Sequence, residues 1–245
     1  MTPPHTMRLL MTADAVGGVW TYAISLAREL SRRGIRIHLL TLGPAPREEQ
    51  RREAEAIPGL DLVSTDLALE WLDPKGKDFP RALEVLAYHA ERIKPDIVHI
   101  NGYREALAEW NAPIIVVAHS CVRSWWRACR HEEPDQRWRN YIANVHAGLN
   151  AADRWLAPTA AFRGQIEMLY VPLTRGSVIW NGAAGEYQNA PAKEPFVLAA
   201  GRLWDEAKNI ALLARAADDV PWPIFAAGAA ESPGKGEAQR LDRIR

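Results

Sequence analysis

Two cysteines, Cys121 and Cys129, are all that the 245 residues contain. That is too few for a disulfide framework, and neither stands in the paired CxxC or Cys/His spacing of a zinc site, so both are expected as reduced thiols. An excess of one charge is also lacking. Thirty Lys and Arg offset thirty Asp and Glu, so no net field draws a polyanion, and nucleic acid is not an expected partner. No apolar run reaches the roughly 18 residues of a membrane span. The opening MTPPHTMRLLMTADA has no charged region followed by a long apolar stretch and a cleavage site. The expectation is a cytoplasmic protein with no transmembrane segment, peripheral membrane contact being left open.

What is present is a chain that is 48% hydrophobic, enough for one large domain or one domain with part of a second. Met7–Thr12 is a short apolar run that ends at a loop holding Gly17 and Gly18. Beyond it Ala23, Leu26, Ala27 and Leu30 recur at helical spacing. Arg32 and Arg33 close that helix and Gly34 follows, the cations and cap that suit a helix carboxyl end. Ile35–Leu42 then reads as a second strand, completing a βαβ unit and pointing to a parallel, doubly wound α/β sheet. Further strands are predicted at Ile97–Ile100, Pro113–Ala118, Arg154–Ala157 and Ser177–Trp180, with helices near 80–93, 135–150 and 159–169. Arg47–Glu55 is densely charged and reads as a solvated helix face. Gly185–Pro195 is polar and proline-bearing, like a linker. A new strand at Phe196–Ala200, a helix at Asn209–Ala217 and a strand at Pro223–Ala227 then open a second βαβ unit that the chain does not finish.

Four features carry chemistry. Asp14–Trp20 joins a strand to a helix, and its two glycines let an anion approach the unpaired N–H groups of the helix start. A tight turn that needs glycine only for its dihedrals would look the same. The loop is neither a GxGxxG fingerprint nor a Walker A loop, which removes NAD and ATP as expected ligands. His119 follows an apolar strand, at the carboxyl end where open α/β sheets bind ligands. Its neutral ring could donate to a sugar hydroxyl and its protonated ring could balance phosphate. Gly201–Asn209 brings Arg202 and Lys208 toward a helix start, which suits a bound diphosphate better than it suits helix stability. Surface pairing of the two with Asp205 and Glu206 is the competing reading. Asn181-Gly182 is a turn signal.

Taken in order, strand–GG–helix, strand–HS, strand–NG–linker and strand–GRx5KN–helix resembles the family 4 glycosyltransferases of the GT-B fold. The most specific stretches are FVLAAGRLWDEAKNIALLARAA and GGVWTYAISLARELSRRGIRIHLLT. The resemblance implies a Rossmann-like, acceptor-side domain over residues 1–185, a linker at 186–195 and an incomplete donor-binding domain over 196–245. It implies transfer of a sugar from a UDP- or GDP-sugar to the hydroxyl of a carbohydrate or other acceptor, with retention, no cofactor and no metal. Residue by residue it places Gly17 and Gly18 near donor phosphate and acceptor, with Asn181 in a substrate-binding turn. His119 lies beside the transferring sugar, and Arg202 and Lys208 grip the diphosphate as catalytic cations. Ala183-Ala184 stand where the family has Val-Asp, and its E-x7-E motif does not occur downstream. The 245-residue chain is accordingly expected to be inactive or nearly so alone. A nucleotide-sugar 2-epimerase of the same architecture and a noncatalytic binding fragment are the alternatives.

Ten tryptophans are many for this length, and Trp125, Trp126 and Trp138 lie among five arginines. Glu132, Glu133 and Asp135 in the same stretch argue against a phosphate-tracking stripe. Packing or an acceptor-facing loop is expected. Trp20, beside the glycine loop, is expected in the core.

Overall fold

Along β1 (Arg8–Asp14) Leu9, Met11 and Ala13 alternate with Leu10 and Thr12, and both sets are buried. A strand hidden on both sides belongs inside a sheet that is covered on both faces. The computed structural model, which describes residues 6–182, 193–232 and 235–238, shows such a sheet. Its seven strands are β1, β2 (Arg36–Leu42), β3 (Leu60–Ser64), β4 (Ile97–Ile100), β5 (Ile114–Val117), β6 (Arg154–Ala157) and β7 (Ser177–Val178). They run in the order β3-β2-β1-β4-β5-β6-β7, every neighbouring pair parallel. The fold is an α/β, Rossmann-like doubly wound sheet.

One face packs Leu9, Met11 and Ala13 against Ala23, Ile24 and Ala27 of α1 (Gly18–Arg32) and Ala54 of α2 (Glu48–Glu55). The other packs Leu10, Val98 and Ile100 against Leu86 of α3 (Phe79–Ile93), Val145 and Leu149 of α5 (Arg139–Ala151) and Ile166 of α6 (Ala160–Tyr170). The helices end where their caps dictate: Thr159 accepts the Phe162 N–H at the start of α6, 3.0 Å away, and Lys94 closes α3 in the left-handed region.

Two elements, β3 and α4 (Val122–Arg130), were not among the expected ones, and two others differ in extent. β3 pairs only with β2, with Leu60, Leu62 and Val63 half-buried and Asp61 and Ser64 exposed, so its apolar pattern is weak. α4 hides behind its arginines: Arg123 pairs with Glu133 at 2.7 Å, and Arg130 lies 4.6 Å over the Trp126 ring. The expected helix at 135–150 is a short 3-10 turn, Gln136–Trp138, running into α5. The strand expected at Ser177–Trp180 stops at Val178.

The chain divides into two compact units, Met1–Ala183 and Ala184–Arg245. In the second, β8 (Val197–Ala200) and β9 (Ile224–Ala227) pair in parallel, and α7 (Ile210–Ala216) lies between them in sequence. A short antiparallel pair, Glu231–Ser232 with Lys235–Ala238, follows. Of the proposed linker, residues 185–192 lie outside the described residues, as do Ala183-Ala184. Among the described residues no helix is long and apolar enough to cross a membrane.

Candidate active site at the carboxyl edge of the sheet

The strand order reverses at β1: β2 and β3 lie on one side, β4 to β7 on the other. Loops leaving β1 and β4 therefore diverge, and the crevice between them is where such sheets bind ligands. Three sequence-predicted residues map to this edge: Gly17 and Gly18 after β1, and His119 after β5.

The β1 loop is organised by Asp14, whose Oδ1 accepts the N–H groups of Val16 at 2.9 Å and Gly17 at 3.1 Å. Gly17 has φ −146° and ψ −152°, an extended conformation open to any residue. A Cβ on Gly18 would meet nothing within 4 Å. Neither glycine has the left-handed φ that would require a glycine. What the pair does provide is a helix start with no acidic residue in its first turn, the Asp14 carboxylate just before it taking up the Gly17 N–H. Trp20 is core, as expected, and donates its indole N–H to Glu53 at 3.0 Å. A cavity of about 450 Å³ opens beside the loop, lined by Val16, Gly17, Thr21, Arg47 and Gln50 among others.

Four residues past Gly18, on the same helix face, Tyr22 sets its ring edge-on to His119, 4.6 Å between centroids. The Tyr22 hydroxyl lies 3.3 Å from His99 Nε2. Burial raises the Tyr22 phenol to about 12 and lowers both His99 and His119 to about 4, with His119 adding its repulsion at His99. Both rings are thus neutral at physiological pH. His119 Nε2 lies 2.8 Å from Asn101 Oδ1. Tyr22, His99 and Asn101 were not singled out from sequence; the i,i+4 relation of Tyr22 to Gly18 and the histidine within the strand IVHI were the available signals.

Directly after Asn101, Gly102 faces a buried charge cluster. A Cβ there would lie 2.5 Å from Glu105 Oε2 and 3.2 Å from Glu70 Oε1. Glu70 accepts the N–H groups of Tyr103 at 2.9 Å and Arg104 at 3.2 Å. The Arg104 guanidinium, 1% exposed, bonds Asp73 at 2.9 Å and the Ala68 carbonyl at 2.6 Å. Burial, and for Glu70 also the Glu105 charge, pushes both glutamates above the ordinary carboxylate range.

Asn181 is exposed and follows the edge strand β7, two strands beyond the one that carries His119. In the second unit Arg202 bonds Asp205 at 2.6 and 3.2 Å and lies 5.3 Å over the Trp204 ring. Its side chain keeps 39% exposure. Lys208 is exposed, and its stem passes 3.5 Å from where a Cβ on Gly201 would sit. Of the surface pairs weighed in sequence, the Arg202–Asp205 pair forms.

The family model for Glycosyltransferase Family 4 matches residues 16–184. No curated protein matches the sequence. Among solved structures, a glycosyltransferase from Rickettsia africae is similar at TM-score 0.55 and 12% identity, covering 91% of this chain and 61% of that one. UGT89C1 of Arabidopsis thaliana, complexed with UDP-L-rhamnose, is similar at TM-score 0.58 and 10% identity, covering 91% and 65%. A UDP-GlcNAc 2-epimerase from Neisseria meningitidis, bound to UDP-GlcNAc, is similar at TM-score 0.51 and 14% identity, covering 92% and 66%. The chain thus spans 61–66% of the lengths of these three proteins.

Proposed function

The chain belongs to glycosyltransferase family 4, and from that premise we propose that the whole protein moves a sugar from a UDP- or GDP-sugar to an acceptor hydroxyl. The observation that carries the reading is the meeting, at the carboxyl edge of the sheet, of the helix start at Gly17-Gly18 with the half-buried, neutral His119, joined through Tyr22. The helix start favours phosphate or a polarised oxygen. The histidine favours a group that hydrogen-bonds without charge.

In the proposed reaction the bond from the anomeric carbon to the diphosphate oxygen breaks, and the negative charge that develops on the leaving group is met by Arg202 and Lys208. Arg202 reaches it by releasing Asp205 or by sharing its fork with that carboxylate. An acceptor hydroxyl held close to the anomeric carbon supplies the oxygen of the new bond, and its proton passes to the departing diphosphate oxygen. Configuration is retained and no metal takes part. Asn181 borders the substrate.

The test is a panel of UDP- and GDP-sugars offered to the full-length protein with mixed acceptors. Released UDP or GDP is quantified, the product anomer is read by NMR, and each reaction is repeated with EDTA. One donor class releasing diphosphate only with acceptor, EDTA notwithstanding, is the expected result; a panel with neither turnover nor binding would defeat the reading. The likeness to a 2-epimerase supports a second reading, in which UDP-GlcNAc is interconverted without acceptor and without diphosphate release. The same panel separates the two.

A further inference from the structure

We propose that Asn101 is a positioning residue that fixes the tautomer of His119, leaving His119 Nδ1 as a hydrogen-bond acceptor for a ligand hydroxyl. The value of that acceptor to catalysis rests on the function proposed above; the tautomer itself does not.

The argument begins at β1. Asn101 Nδ2 lies 2.7 Å from the carbonyl oxygen of Thr12, and its backbone N–H meets Thr12 Oγ1 at 3.1 Å. A backbone carbonyl only accepts. The amide nitrogen must therefore face Thr12, since the flipped amide would set two acceptors against each other at that distance. Thr12 is 1% exposed, so no water relieves the choice. Chemistry, rather than appearance, thus sets which end of the amide is oxygen.

The oxygen end then faces His119 Nε2 at 2.8 Å. Oδ1 can only accept, so Nε2 carries the hydrogen. A neutral imidazole has a single N–H, and burial keeps this ring neutral at physiological pH. Nδ1 is left with its lone pair. The edge-on Tyr22 ring, at 68° to the imidazole plane, restricts rotation that would exchange the two nitrogens. His99, which hydrogen-bonds the same Asn101 side chain, is neutral as well and adds no positive charge there.

A ligand discriminates on this basis. A sugar or acceptor hydroxyl can donate to Nδ1, whereas an ionised phosphate oxygen has no hydrogen to offer. His119 therefore selects an O–H group and does not balance phosphate charge, which reverses one of the roles that the sequence leaves open to it.

The experiment uses the 245-residue chain labelled with 15N-histidine, and reads the ring nitrogens by long-range proton–nitrogen correlation. The His119 signals are those that vanish in His119→Gln. The wild type is expected to show Nε2–H and an unprotonated Nδ1, unchanged from about pH 6 to about pH 8. Asn101→Ala should move the shifts toward the averaged tautomer mixture of free histidine. Hydrogen on Nδ1 in the wild type overturns the proposal, as do unchanged His119 shifts in an Asn101→Ala protein that keeps its near-UV CD. Should Asn101→Ala fail to fold, the wild-type spectrum still decides. The outcome is independent of sugar transfer: a fixed Nε2–H tautomer in a protein that turns over no donor counts against the function alone, and turnover with Nδ1–H counts against the tautomer alone.

Discussion

Acidification should loosen the first unit through two histidines before its carboxylates titrate in the usual range. His99 and His119 are held near 4 when folded and return to 6.5 when the chain unfolds. Between those values the unfolded chain binds protons that the folded chain refuses. Their contribution is therefore complete above about pH 6.5 and is lost as pH falls through about 4. At about 1.4 kcal/mol per pH unit for each group, the window amounts to roughly 3 kcal/mol per histidine, a large share of a typical 5–15 kcal/mol domain stability. Glu70 and Glu105 work the other way: raised by burial, they keep protons when folded and gain stability as pH falls. A raw pH profile mixes the two. The difference between wild type and His99→Leu or His119→Asn isolates the histidines. Urea unfolding followed by tryptophan fluorescence, at steps from about pH 7 to about pH 4, should show each variant losing less stability on acidification than wild type does. Equal losses in wild type and in both variants would refute the buried-neutral reading of these rings.

Three further outcomes are expected. A Cβ on Gly148 would overlap the Tyr103 carbonyl oxygen, whereas one on Gly164 would meet nothing within 4 Å; calorimetry should find Gly148→Ala destabilised by about 1–3 kcal/mol and Gly164→Ala stabilised by up to about 1 kcal/mol. Gly18→Ala has the same open space, so its Tm should hold while donor binding, followed by titration calorimetry, weakens; intact binding would remove the glycine loop from the site. On the proposed function, Arg202→Ala and Lys208→Ala in the full-length protein should each lose about 2–4 kcal/mol of transition-state stabilisation, read from kcat/KM. Unchanged turnover in both would dismiss their assigned role.

The sheet was legible because its central strands are buried on both faces and so write continuous apolar runs, as at Pro113–Ala118. β3 was not, since a half-buried edge strand has little pattern to show. α4 was obscured by arginines whose charges are answered elsewhere in the fold, at Glu133. Gly17, Gly18 and His119 could be placed at the carboxyl edge of the sheet because each follows a strand end, a position that sequence reveals. Asn101 and Tyr22 gain their roles only from strand order: β1 beside β4 brings Asn101 to Thr12, and α1 leaning over that edge brings Tyr22 to His119. No linear spacing encodes that adjacency. The Arg202–Asp205 pair is a local i,i+3 contact, which is why sequence could name it as an alternative but not choose.

The buried cluster of Glu70, Asp73, Arg104 and Glu105 bears on how this scaffold can be re-engineered. The segment after β3 and the turn after β4 are far apart in sequence, yet the carboxylate of one holds the backbone of the other and the guanidinium of the second holds the first. Grafting the first segment alone from a relative would strand the Arg104 charge in the interior at a cost of about 3–5 kcal/mol. The two are one exchangeable cassette, and chimeras that aim to change what the adjoining crevice accepts should move residues 66–78 and 101–107 together.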